Sequence, residues 1–250
     1  VANATHFADV LAAASSNSNT NVSMLGESFK YAAPVAGALS YSVEDTAVAL
    51  GLMANSGIKA SQGGTALRTM LTNLAKPTDT VESAMKYLNI TLSNSDGSMK
   101  SLKELMDDLR NSFGECKMST EEFNSKLAEL SEQHESGTLT DKKYEKAVED
   151  LTKKAYGAEG ALKANLAASL AGKEGMSGLL SIVSAAPEDY DKLINSIYNC
   201  DGAAEEMATT MQDNLSGQIT ALESALQELA IAFGKILMPY IRKAVSVLQD

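Results

Sequence analysis

Residues 31–77 read YAAPVAGALSYSVEDTAVALGLMANSGIKASQGGTALRTMLTNLAKP. The stretch is nearly free of charge, rich in Ala and Gly, and interrupted by Pro34, Gly57 and the Gly63–Gly64 pair. Ala has the highest helix propensity and Gly lets a neighbouring backbone come close, so this composition favours short helices packed tightly together. Ser42-Val43-Glu44-Asp45 has the form of a helix start, a hydroxyl cap followed by acids that the positive end of the helix stabilises. Val48, Leu50, Leu52 and Met53 supply that helix's buried face, and Gly57 predicts its stop. Ser61–Ala75 predicts the next helix, with Leu67, Met70, Leu71 and Leu74 inward and Lys76–Pro77 closing it. Gly63–Gly64 reads as a close helix contact and not as a phosphate cradle, because no Lys-Ser or Lys-Thr follows at the required distance.

Outward from this stretch the same helical period continues. Residues 1–40 predict two helices, one carrying Phe7, Val10 and Leu11, the other Met24, Leu25, Phe29 and Tyr31, with Pro34 expected to end or kink the second. A fifth helix is expected over Thr80–Leu88, then a short extended piece with a tight turn at Asp96–Gly97. Leu102, Leu105, Met106, Leu109 and Phe113 mark a clear amphipathic helix. The segment 117–157 is charge-rich, and its two halves look alike: Phe123, Leu127 and Leu130 match Tyr144, Val148 and Leu151 across Gly137. It predicts a charged helical hairpin that projects from the body or packs through a narrow seam. Residues 158–198 predict short helices with stops at Gly172, Gly175 and Pro187.

The last fifty residues differ in kind. Leu215, Ile219, Leu222, Leu226, Leu229, Phe233 and Ile236 alternate steps of four and three, a heptad seam. A helix over 203–238 is about 54 Å long at 1.5 Å per residue. An exposed Leu row of this kind asks for a partner helix, so a self-association seam is expected there. The fold class is therefore all-α: a multi-helix bundle with a projecting hairpin and a long C-terminal heptad-patterned helix. Its domain organisation reads as 1–116, the hairpin insertion 117–157, and 158–250. The start at Val1 and the end inside a helical pattern at Gln249–Asp250 read as a piece of a longer protein.

Chemistry is sparse. The net charge of −11 argues against a nucleic-acid surface, which needs clustered Lys and Arg. Cys116 and Cys200 match no zinc or redox spacing. Taking Gly97 or Gly137 as the sixth residue of a calcium loop leaves Lys103 or Lys143 where a bidentate Glu is required. His6 and His134 have no motif neighbours; His6 reads as structural and His134 as exposed. Glu188–Asp189 and Glu205–Glu206 read as ordinary acids at helix starts. No catalytic, cofactor or metal motif is found, and the longest apolar run, Thr46–Ala54, is far short of the roughly 20 residues that span a bilayer.

The order of caps, small residues and breaks in 31–77 resembles the core region of phage tail tape measure proteins. Ser101–Leu109, Gly172–Val183 and the segment from Ala186 through Gly202 to Gly217 resemble it as well, in the family's order; the hairpin at 117–157 does not. The resemblance implies a structural protein of the virion tail, assembled in the bacterial cytoplasm and housed in several copies in the tail lumen. It implies that the protein sets tail length, with the tail tube protein and tail assembly chaperones as partners. It implies contact with the host membrane and phage DNA on ejection, and no enzymatic activity. Two other readings stand beside it, a membrane-active pore or translocator and a cellular coiled-coil scaffold.

Overall fold

A computed structural model describes residues 2–114, 118–156, 160–213, 223–224 and 227. Among them the chain is all-α, with eleven helices, no strand, and one isolated bridge between Ser93 and Met99. It falls into two compact units, Val1–Ala203 and Ala204–Asp250. The first holds α1 (Ala2–Asn17), α2 (Val22–Ala38), α3 (Val43–Asn55), α4 (Ala60–Ala75), α5 (Asp79–Tyr87) and α6 (Leu102–Phe113). It continues with α7 (Thr120–Glu135), α8 (Asp141–Tyr156), α9 (Gly160–Val183) and α10 (Pro187–Tyr198). In the second, the described part is the remainder of α11 (Ala203–Asp213) and helical residues 223, 224 and 227.

α3 is the axis of the first unit. Every residue from Asp45 to Ala54 is buried, as expected of a helix that is apolar on all sides. α1, α2, α4, α6, α9 and α10 all pack against it. Ser42 caps its start by accepting the Asp45 N–H at 3.0 Å, and Gly57, at φ +80°, takes the left-handed turn that ends it. Small residues set how near the neighbours come: a Cβ at Gly51 would stand 2.9 Å from Leu193 Cδ2 of α10.

The α2–α4 contact is closer still. A Cβ on Gly64 would stand 2.9 Å from both the Ser28 carbonyl carbon and Tyr31 Cβ, with the Ser28 oxygen nearer yet. Ser28, itself buried, donates its hydroxyl to the Ala60 carbonyl at 2.7 Å and to the Met24 carbonyl at 3.0 Å. The Gly63–Gly64 pair is thus a helix contact. Leu67, Met70, Leu71 and Leu74 face the core as expected.

Three expectations are corrected. α2 does not end at Pro34 but runs through it to Ala38; Pro34 and Lys30 are both exposed, so the carbonyl that loses its N–H partner is open to water. Gly172 does break α9, with φ 70° and ψ 176°, but Gly175 does not stop it. Gly175 lies inside the second part of α9, where a Cβ would stand 3.1 Å from the Ala66 carbonyl of α4, so its smallness serves packing. Third, the described residues of the hairpin segment, 118–156, do not stand off from the body. α7 lies against α8, and α8 lies along α9. Phe123, Leu127 and Val148 are fully buried and join the same core as α3 and α4. The reason is width: Tyr144, Val148, Leu151, Thr152, Ala155 and Tyr156 are all buried, giving α8 a face broad enough for two neighbours.

The α2–α4 contact predicts opposite effects for two glycines. Gly64→Ala forces the helices apart and should cost about 3 kcal/mol in urea unfolding. Gly26→Ala, in the interior of α2 with nothing within 4 Å of the new methyl, should stabilise by about 0.5–1 kcal/mol. Equal effects at the two sites would rule out the close approach.

Candidate functional site

The most developed polar constellation lies where α3, α6, α9 and α10 meet. Asp45 is 2% exposed at the start of α3, and its carboxylate faces the N-terminus of α6. Lys103 donates its backbone N–H to Asp45 Oδ2 at 3.1 Å, and the positive helix end favours the anion. Tyr198, at the end of α10, donates its hydroxyl to Asp45 Oδ1. The α6 terminus is also closed by its own capping box between Ser101 and Glu104.

Along the same edge of α6, at the helical spacing that aligns side chains, Asp107 and Arg110 continue the ladder. Asp107 accepts from Lys103 Nζ and from the Tyr190 hydroxyl, both at 2.7 Å. Arg110 donates to the carbonyls of Ile182 and Ala185 at 2.8 and 2.9 Å, capping the end of α9. Its guanidinium lies 4.3 Å from the centre of the Tyr190 ring. Burial, then the carboxylate each one faces, pushes the pKa of both Tyr190 and Tyr198 well up, so both phenols remain donors. Burial pulls Arg110 down, against the opposing pull of Tyr190 and Asp107. The chemistry this arrangement supports is fastening: two carboxylates and a guanidinium join four helices.

A second cluster lies over the α7–α8 turn. Ser131 and Tyr144 pair at 3.5 Å, and His134 Nε2 lies 3.2 Å from Asp141 Oδ1, each pair symmetric in sequence about Gly137–Thr138. The His134 ring stacks on Tyr144, with centroids 4.3 Å apart at 14°. His134 is therefore not simply exposed, contrary to expectation, because the turn folds it back onto α8. Lys173 of α9 pairs with Glu145 at 3.0 Å. Beside them is a cavity of about 310 Å³, lined by Gln62, Thr65, His134, Tyr144, Lys173 and Ser177 among others.

The seven seam residues, Leu215, Ile219, Leu222, Leu226, Leu229, Phe233 and Ile236, and Cys116 lie outside the described residues. Glu188–Asp189 and Glu205–Glu206 sit in the first turns of α10 and α11. His6, expected to be structural, joins α1 to α3 through Glu44 at 2.6 Å. Among the described residues no group of three or more His, Cys, Asp or Glu could hold a metal ion, and no helix is long and apolar enough to cross a membrane. The Asp45 ladder was missed in the sequence because its members are 58 and 153 residues apart; the one local sign was a buried-face acid in the first turn of α3.

Comparison with known proteins gives the context. A family profile described as "Phage-related minor tail protein" matches residues 1–140. The chain is similar to the "Tape measure protein" of Pneumococcus phage Dp-1, 34% identical over 243 residues, covering 97% of this chain and 18% of that protein. It is also similar to the "Probable tape measure protein" of Escherichia phage P2, 27% identical over 223 residues, covering 89% of this chain and 22% of that protein. The chain thus spans about a fifth of the length of these curated relatives. No solved structure matches it.

The ladder yields a double-mutant test. Tyr198→Phe should cost about 1 kcal/mol and Asp45→Ala, which also strips the α6 terminus, about 2–3 kcal/mol. The double variant should cost little more than Asp45→Ala alone, measured by urea unfolding; simple addition would mean that the two side chains do not act on each other.

Proposed function

This chain belongs to the phage-related minor tail protein family, and from that premise we propose that it is a segment of a tape measure protein, with a structural and not a catalytic role. In this reading the whole protein sets tail length, fills the tail lumen after assembly in the bacterial cytoplasm, and leaves when DNA is ejected. Its partners are then the tail tube protein and the tail assembly chaperones, with the host membrane and phage DNA met on ejection. The observation that carries the reading is the near-complete coverage of this chain by a protein named as a tape measure at 34% identity. The small-residue helical packing of 31–77, where the resemblance was first legible, supports it.

The division into 1–116, 117–157 and 158–250 belongs to the same proposal, with 117–157 as an insertion between core segments. So does self-association through 203–238, along the seam formed by Leu215, Ile219, Leu222, Leu226, Leu229, Phe233 and Ile236. A heptad row buries its apolar edge only against another helix.

An in-frame deletion of residues 2–203 in the phage tests the first reading by electron microscopy of tails. Tails should shorten, by at most about 1.5 Å per residue removed, the helical limit, or fail to assemble. Tails of normal number and unchanged length would overturn it. Light scattering tests the seam: wild type should exceed monomer mass, and the Leu222→Asp/Leu229→Asp variant should fall to it. A monomeric wild type would remove the seam as an oligomer contact.

A further inference from the structure

His6 stands where three parts of the first unit meet. Its Nε2 lies 2.6 Å from Glu44 Oε1 of α3, and its Nδ1 lies 3.7 Å from Asp201 Oδ1, in the turn between α10 and α11. Asp201 is two residues from the end of that unit, and the turn closes through Gly202 at φ +85° and the Ala203 N–H donating to the Cys200 carbonyl at 2.9 Å. We propose that His6 is a pH-operated clasp that fastens the α10–α11 turn to the corner of α1 and α3 when protonated, and releases the turn when neutral.

The selectivity follows from imidazole chemistry. The protonated ring donates from both nitrogens, one toward each carboxylate. The neutral ring keeps a single proton, and the short contact to Glu44 holds it on Nε2. Nδ1 then presents a lone pair to the Asp201 carboxylate, so attraction turns to repulsion on that side alone. The charged surroundings are acidic on each side of the ring. On α1 Asp9 lies one turn further on. On α3 Glu44 is followed by Asp45, which is held by Tyr198 and Lys103. Behind Asp201 lies the buried Cys200 thiol, pushed up first by burial and then by Asp9, Asp201 and Glu44. From α2 the charged group on this side is Lys30, which lines a groove beside Phe7 and pairs with Glu27 at 3.6 Å.

Both partners shift in the direction the clasp requires. The Glu44 hydrogen bond, ahead of all other influences, raises His6 above 6.5. Burial pushes Glu44 up, but His6, the Glu44 backbone N–H and the Ser42 hydroxyl together bring it below 4.5. The raised His6 stabilises fully below 6.5, and this is lost as pH climbs through its folded value. The lowered Glu44 stabilises above 4.5, and this is lost as pH falls through its own folded value. The clasp is closed between these limits.

Hydrogen exchange on the 250-residue chain, corrected for intrinsic rates, tests the clasp. Protection of amides 199–203 should be about threefold higher at pH 5.5 than at pH 8.5, the scale of an exposed ion pair. The difference should vanish in His6→Gln and in Asp201→Asn, while α4 and α9 amides show none. Asp201 is almost fully exposed, so Asp201→Asn leaves the fold intact even if His6→Gln does not. In parallel, the His6 ring should titrate by NMR above 6.5, and lower in Asp201→Asn than in wild type. A pH difference that persists in Asp201→Asn, no difference in wild type, or a His6 midpoint at or below 6.5 would each overturn the proposal.

Discussion

The backbone of α2 at Ser28 rests on α4 at Gly64, where α4 has no side chain, and the first unit is organised by that closeness. With two helices that near, the small groove between them is closed by Ser28 bonding across to the Ala60 carbonyl. The same device recurs around α3. A Cβ at Gly178 of α9 would stand 3.0 Å from the Met53 methyl, and one at Gly57 2.8 Å from Ala128 of α7. A chain with no Trp and few aromatics cannot fill wide gaps with rings, so it narrows the gaps instead. Density comparable to that of other protein interiors is reached by bringing backbones together, with Met and Leu filling the remainder.

Where the facing residues are alike, packing of this kind is weakly directional: an Ala-lined face offers similar contacts after a shift of one turn, although Gly64 itself admits no such shift past Ser28. The Asp45 ladder is not tolerant in that way. A carboxylate that is 2% exposed must keep its donors, and those donors come from two other helices, α6 through the Lys103 amide and α10 through Tyr198. Sliding α3 by a turn strands the charge. Arg110 and Asp107 apply the same constraint to α9 and α10. The apolar contacts thus set how near the helices lie, and the ladder sets where along their axes they stop.

Much of the first unit was legible in the sequence because its signals are local. Ser42 announces a helix start, Gly57 a stop, and the Leu67–Leu74 spacing a buried face; all act within one or two turns. The Gly63–Gly64 pair was legible for the same reason. What escaped depends on distant partners or on solvent. Pro34 was read as an interruption, but an exposed carbonyl one turn back can be left to water. Gly172 and Gly175 look alike on paper, and only the position of Ala66 on α4 separates a break from a packing glycine. The seam of 117–157 was identified, but not its surface on α9, which lies outside the repeat. The Asp45 ladder has no local spacing at all.

These constraints separate two extremes of length open to residues 2–203. As one continuous helix, residues 2–203 would extend about 300 Å at 1.5 Å per residue. A compact unit of that size has a radius of gyration near 17 Å, by the usual scaling of folded chains. A sphere with that radius of gyration is about 44 Å across, so the two forms differ roughly sevenfold in reach, and which of them the residues adopt turns on whether α3 is sealed. Unsealing it exposes ten consecutive buried residues and leaves Asp45 to exchange its fixed donors for water. Local opening is least costly where apolar burial is least, at the exposed α10–α11 turn held by Asp201, and most costly at the α2–α4 contact. An extension that begins at that turn peels α10, with the Leu193 contact on Gly51, from α3 before the α2–α4 glycine contact is disturbed, whereas one that begins at α2 must break that contact first.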